Sequence, residues 1–366
     1  MFTTKVFFVR GKSILVFPIN ISESAAFAKT ARELGVRVVS ATSETILADE
    51  KNAGIVSLPY ITDPDFNRSF FELLAEQGID SVFSPHPGVW AHLQSLAKGG
   101  VSPVAFSVCN EPPLDTNWLR YGAAYQWARL CADEWGLASS VAAALSPTRY
   151  ANLHFGYNQI PGQNDDVKLL LLAHIVRSAP TGDVVEIGSL YGRSAFALAW
   201  LAKFHAIGAV VCVDPWDAVS IKDQGDEATL LNRQAYDVDW EKIFSGFIAS
   251  MSGFDNVNYI RQPSSDAHEA YMRGVATGGI CSDEFGKTRV CGEISILHID
   301  GNHKYDDVRL DVDTWVPSVK HGGWVLVDDY LWAFGDGPRR AGNEILQEYA
   351  VETAFVAGDT LCIQLR

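Results

Sequence analysis

The sequence predicts a two-domain α/β protein built on open, mostly parallel sheets. Three observations predict it. At 366 residues the chain is longer than one ordinary domain and can bury ample core. Short β-branched runs alternate with amphipathic stretches from Ser13 onward, which is the pattern of parallel α/β folds. Finally, two apolar runs, Ile294 to Ile299 and Trp324 to Val327, each end in acid and flank a helical stretch, as successive strands of a parallel sheet do.

A hydrophobic content of 48% with 20% charged residues is that of a globular protein. No apolar run has the length of a membrane span, and MFTTKVFFVRGK lacks a signal-peptide pattern, so a cytoplasmic protein is expected. The net charge of −15, with no Lys/Arg-rich run, argues against nucleic acid or an anionic membrane as partner and suits cationic small ligands. Six cysteines show no C-x-x-C spacing, so neither a zinc module nor a redox motif is indicated. Cys281 and Cys291 flank a loop and would be the pair to join under oxidation, but free thiols are expected in a reducing compartment.

Residues 1–110 read as a small α/β domain. Ser13 to Pro18, Val36 to Ser40, Ile55 to Leu58 and Ser81 to Ser84 are strands; Ser22 to Leu34, Pro64 to Gln77 and Val89 to Ala97 are helices. The first helix has a Ser cap and Gly35 at its end. This layout is similar in topology to the small domain that precedes the ATP-binding halves of ATP-grasp ligases, though no motif supports the likeness and no ATP-grasp body follows. Ser84-Pro85-His86-Pro87 reads as a proline-stiffened turn more readily than as a ligand loop. The domain is expected to shape an acceptor pocket or an oligomer interface. Residues 111–157 form a helical linker region: Asn110 to Pro113 is stiff, Thr116 to Trp135 is aromatic and amphipathic, and Leu137 to Leu145 continues the helix.

The chemistry is expected in residues 158–366. Asp183 to Gly192, DVVEIGSLYG, is a strand carrying Glu186 that runs through a glycine turn into the helix Arg193 to Phe204. Gly188 permits close approach of a ligand to the backbone. The spacing is not the G-x-G-x-x-G that accommodates a dinucleotide pyrophosphate, and an acid before an open Gly-x-x-x-Gly turn suits a cationic ligand without phosphates. A second strand, Ala209 to Val213, ends in Asp214, where an acid can accept both hydroxyls of a ribose. A third, Val257 to Ile260, leads to Gln262-Pro-Ser-Ser-Asp266, polar groups suited to an adenine edge. Together these describe a nucleoside site.

The two acid-ended strands near the carboxyl end supply a second set of groups. Asp300 follows the first; Asp328 and Asp329 follow the second; the helix Tyr305 to Val319 lies between, stopped by His321-Gly322-Gly323. Parallel strands align their carboxyl ends along one crevice, so three carboxylates and His303 meet at one rim. Clustered carboxylates repel, and a cation among them is expected. Oxygen ligands suit Mg²⁺, Mn²⁺ or Ca²⁺ better than Zn²⁺, with His303 as a base beside the ion. The plainer alternative makes Asp300 and Asp328 strand-end caps and His303 a surface turn residue.

VVEIGSLYGRSA, VCVDPWD and LHIDGNHKYDDVRLDVDTWVPSVKHGGWVLVDDY together resemble the class I S-adenosylmethionine-dependent methyltransferases. Within that class the likeness is to the metal-dependent O-methyltransferases of family-24 type, which include macrocin-type sugar methylases and the cephalosporin hydroxylase-named family, and more distantly catechol methylases. The resemblance spans residues 158–366. It implies a Rossmann-like seven-stranded sheet whose last strands form a hairpin, matching Val351 to Val356 and Thr360 to Leu365. It implies S-adenosylmethionine contacts at Gly162, Glu186, Gly188, Ser189, Tyr191, Gly192, Ser194, Asp214, Ser265 and Asp266. It also implies metal ligands at Asp300, Asp328 and Asp329 and a catalytic base at His303. Catechol methylases carry Lys at the position of His303 and Asn at that of Asp329, which places this chain nearer the sugar and natural-product branch. Asp217 to Gly253 and Arg273 to Gly292 read as insertions that would serve as lids.

The expected reaction is transfer of a methyl group to a hydroxyl of a small molecule, with a homo-oligomer as the expected assembly. A nicotinamide-dependent oxidoreductase is the first rival, against which the glycine spacing argues. A non-catalytic binding protein of the same fold is the second, and a metal-dependent hydrolase or hydroxylase on the same acids is the third.

Overall fold

The computed structural model describes residues 13–46, 54–99, 103–132, 142–218, 223–234 and 238–366. The chain divides into two compact units, residues 1–120 and 121–366.

The first unit holds a five-stranded parallel sheet. Strand β1 (Ser13–Val16) leads to helix α1 (Ser22–Glu33), β2 (Arg37–Thr42), β3 (Val56–Ser57), α2 (Phe66–Gln77), β4 (Ile79–Phe83), α3 (Pro87–Lys98) and β5 (Ser107–Val108). The spatial order is β3-β2-β1-β4-β5. Leu15, Phe17, Phe66, Phe70, Leu74 and Val82 form its main core. Ser84 to Pro87 is a helix start: Pro87 sits in the first turn and the His86 side chain accepts from the Val89 N–H. Its other role is hydrogen bonding of the Ser84 backbone to the Asn110 side chain, at 2.9 Å in both directions. Strand β5 escaped the sequence reading because two residues show no period.

Helix α4 (Pro113–Ala132) contains the boundary between the units. The expected extension over Leu137 to Leu145 lies largely outside the described residues. Two helices not separately expected follow, α5 (Pro147–Tyr157), capped by Ser146, and α6 (Asp166–Ser178), whose cap Asp165 accepts from the N–H groups of Val167 and Lys168.

The second unit carries a seven-stranded sheet. In chain order come β6 (Asp183–Ile187), α7 (Arg193–Phe204), β7 (Val210–Val213), α8 (Thr229–Gln234), α9 (Trp240–Met251), β8 (Val257–Ile260) and α10 (Ser264–Thr277). A small hairpin, β9 (Ile280–Ser282) and β10 (Gly286–Thr288), precedes β11 (Ile294–Ile299), α11 (Tyr305–Trp315), β12 (Val319–Val327), α12 (Gly337–Glu348), β13 (Val351–Ala357) and β14 (Thr360–Leu365). The order is β13-β14-β12-β11-β6-β7-β8, parallel except where β14 pairs antiparallel with β12 and β13. The doubly covered central strands are buried along their whole length, as parallel strands must be. Even-numbered Val184, Ile296, Trp324 and Leu326 join one core, and odd-numbered Val185, Leu297, Val325 and Val327 the other.

The two segments expected as lids contain packed elements. Within Asp217 to Gly253, α9 is the crossover that a parallel β7-to-β8 connection requires, and it buries Ile243, Phe247 and Met251 in the core. Arg273 to Gly292 is the end of α10 followed by the β9/β10 hairpin, pinned by the Asn258 amide to the Ile280 and Gly286 carbonyls. The helix expected to reach Val319 ends at Trp315, and β12 begins at Val319, earlier than expected, with Gly322 at φ +77° inside it. The six cysteines are free.

Candidate functional site

A cavity of about 1040 Å³ opens along the carboxyl ends of β6, β7, β11 and β12. This is the edge at which open parallel sheets bind ligands. Of its charged lining residues, eight are aspartates against one lysine and one arginine.

One end is the turn after β6. Gly188 has φ +85°, and a Cβ there would lie 1.9 Å from the Asp300 carbonyl oxygen, so only glycine lets the turn pass beneath the β11 end. Ser189, Leu190, Tyr191 and Ser194 line the cavity, as do Gly162 from the preceding loop and Ser265 from the start of α10. Gly192, at φ +85°, caps α7 behind the turn, and Asp266 lies in the first turn of α10.

Glu186 and Asp214 stand differently from expectation. Glu186 is fully buried beneath the turn; Ser189 Oγ donates to one oxygen at 2.7 Å, and His298 Nδ1 is 3.1 Å from the other. Asp214 lines the cavity, but its carboxylate accepts the backbone N–H groups of Ser189 (3.0 Å), Leu190 (2.9 Å) and Trp216 (2.7 Å). Its first effect is therefore to fix the turn, with Leu190 and Trp216 held at positive φ. Burial pushes the Asp214 carboxyl up to about 6, against the pull of those three donors.

The other end gathers the expected acids. Asp300 and Asp328 extend the even-numbered face of β11 and β12, the face on which Glu186 and His298 also lie side by side in register. Asp329 has φ +53°, which turns it away from the strand direction. Ligand atoms of Asp300, His303 and Asp329 lie within 4.8 Å of one another, as do those of His298, Asp300 and Asp328.

His303 is held on three sides. The Gln224 side-chain oxygen accepts from its backbone N–H at 3.0 Å and lies 2.5 Å from Nδ1, so the proton sits on Nδ1. Nε2 is 2.6 Å from Asp329 Oδ2, and the ring stacks on Trp332 with centroids 4.2 Å apart.

Sequence reasoning missed the groups that arrive from elsewhere. Lys168, 4% exposed, forms an ion pair with Asp328 Oδ2. Thr360 Oγ1 donates to the other Asp328 oxygen at 2.5 Å. His298 Nε2 lies 3.7 Å from Asp328. A cation was expected among these acids, and at Asp328 it is a lysine. Lys168 and His298 hold the Asp328 carboxyl well below the usual range despite burial, whereas burial beside Asp328 pushes Asp300 well up. Asp311, on the cavity wall, is pushed up to about 7 by burial. Two of the missed residues had a signal. Lys168 heads the run KLLLLAHIV, apolar all round and hence a buried helix, and His298 shares the parity of Asp300.

The parallel sheet with an antiparallel β14, the glycine turn after β6 and the acids beyond β11 and β12 define a class I methyltransferase fold. Residues 185–330 match the family model described as a methyltransferase domain, a stretch that includes Glu186, Gly188, Asp214, Asp300, His303, Asp328 and Asp329. Over these residues the chain is similar to a methyltransferase domain. No curated protein matches it. Similar solved structures include the O-methyltransferase NovP, at 18% identity over 55% of this chain and 80% of that one, with a TM-score of 0.40. The calicheamicin methyltransferase CalS11 is similar at 13% identity over 70% and 94%, with a TM-score of 0.41. So is the mycinamycin-pathway methyltransferase MycE in complex with Mg, SAH and mycinamycin VI, at 16% identity over 51% and 45%, with a TM-score of 0.29.

Proposed function

We propose that the second unit is a divalent-metal-assisted O-methyltransferase acting on a hydroxyl of a small molecule with a neighbouring oxygen, such as a sugar or another natural product. The observation that carries this reading is the cavity itself: a glycine turn at one end, a histidine among carboxylates at the other, and a strongly acidic wall between. Such a wall favours a sulfonium and a divalent cation and repels the pyrophosphate of a nicotinamide dinucleotide.

In this reading Gly188, Ser189 and Tyr191 of the turn, with Gly162, Ser194 and Ser265, would hold S-adenosylmethionine, which would supply a methyl group on positively charged sulfur. Glu186, Gly192 and Asp266 act from behind, and Asp214 sets the turn before it meets any ribose. The donor set at the far end fits a hard divalent ion, since Asp300 and Asp329 offer carboxylate oxygens within 4.8 Å of each other, with His303 beside them as the base. Bound there, Mg²⁺ or Mn²⁺ would supply Lewis-acid polarisation of the acceptor oxygen.

The chain's own residues do the rest. Gln224 keeps the proton on Nδ1, so Nε2 of His303 is the atom that takes up the acceptor's proton, and Asp329 stabilises the imidazolium formed. Trp332 holds the ring in plane. The acceptor oxygen gains the methyl group as the carbon–sulfur bond breaks, leaving a neutral thioether. Mixing the protein with S-adenosylmethionine, Mg²⁺ and a panel of vicinal diols and catechols tests the reading: S-adenosylhomocysteine should accumulate with an acceptor and fall away when EDTA is added. Turnover indifferent to EDTA would remove the metal from the proposal.

A further inference from the structure

Lys168 lies in the first turn of α6 and is among the most buried charged groups of the chain. Taking an ammonium out of water costs several kcal/mol unless a well-placed anion offsets it. Asp328 is that anion, and both of its oxygens are engaged, one by Lys168 and one by Thr360. His298, with no solvent exposure, closes the third side and ties the pair to Glu186. Asp329 is different: its side chain keeps 26% of its exposure, lines the cavity and meets His303 and Asp300 there.

We infer that Lys168 is a built-in counter-ion that withdraws Asp328 from the metal's ligands, leaving Asp300 and Asp329 as the carboxylates that hold a divalent ion. Two consequences follow, both resting on the metal-assisted reading above. The ion is held weakly and exchanges readily, because affinity for hard cations follows the number of charged ligands. The acceptor end also stays assembled without the ion, since the lysine already neutralises its most buried acid. Lys168 is thus a positioning residue, acting through Asp328.

The test is Mn²⁺ binding to the full-length protein, followed by electron paramagnetic resonance, with thermal melting alongside. Lys168→Met frees Asp328 to ligate and should tighten Mn²⁺ by roughly tenfold or more. It should also melt lower than wild type without metal and gain more from added Mn²⁺. The double variant Lys168→Met/Asp328→Asn removes the pair as a neutral unit and leaves the charge of the cluster as it was. Its Mn²⁺ affinity should stay within about threefold of wild type. Should Lys168→Met not fold, the double variant decides alone, because loss of Mn²⁺ binding there makes Asp328 a ligand and overturns the inference. Unchanged or weaker binding by Lys168→Met also overturns it while leaving the metal reading intact. No Mn²⁺ binding by wild type and Lys168→Met alike contradicts both.

Discussion

His303 is an imidazole whose two nitrogens have been given different tasks. The Gln224 side-chain oxygen accepts a hydrogen bond from Nδ1 and Asp329 faces Nε2, which is the arrangement proposed above for a general base with its orienting and charge-stabilising partners. His303→Ala should therefore lower turnover by about 10²–10⁴-fold while S-adenosylhomocysteine binding, read by calorimetry, stays unchanged. Gln224→Ala should cost less, roughly tenfold in turnover, and leave the affinity for S-adenosylhomocysteine intact, because it frees the tautomer without removing the base. An equal loss of cofactor affinity in either variant would mean that these residues build the cavity rather than act in it. His303 and the three acids were legible in the sequence because each stands just past a recognisable strand. Gln224 was not: it reaches His303 from 79 positions away, through a segment with no period of its own.

At the scale of elements, the site depends on how closely β6 and β11 run past each other. The turn after β6 passes under the Asp300 carbonyl, so Gly188→Ala brings together a steric clash at 1.9 Å and a left-handed φ of +85°. The variant should lose at least about 2 kcal/mol of stability and most of its cofactor affinity, as read by denaturation and calorimetry. Near-normal stability would show that the turn can move away. The strands β6, β7, β8, β11 and β12 and the helices α7 and α11 of this unit were readable from period and punctuation, whereas the closing hairpin was expected from the resemblance. Asp217 to Gly253 was read only as a charged, aromatic insertion; its packed helix, which the β7-to-β8 crossover needs, was not foreseen, and Gln224, Val238, Trp240 and Ile243 of the segment line the cavity. Face parity could have gone further: with Glu186, His298, Asp300 and Asp328 on one side of adjacent strands, a buried cation from the covering helix was the missing partner.

For the molecule as a whole, the concentration of acid in one cavity makes stability depend on pH. Asp214 is raised to about 6 and Asp311 to about 7, so both bind protons more tightly folded than unfolded. Their contribution is fully present below the usual carboxylate value and is lost as pH rises through those folded values. Asp328 works oppositely, being held low; its contribution is present above the usual carboxylate value and lost only as pH falls through its own, lower one. Asp311→Asn should thus raise the melting temperature of the second unit above pH 7, with the gain shrinking toward pH 4. A gain independent of pH would place the cause in packing rather than in charge.

The same acidic wall separates methyl transfer from hydride chemistry. Titration of the full-length protein with S-adenosylhomocysteine, beside an identical titration with NAD, tests the central claim most directly. The cavity described here predicts saturable binding of S-adenosylhomocysteine, abolished by Gly188→Ala, and none of NAD. Binding of NAD with no response to S-adenosylhomocysteine would contradict it.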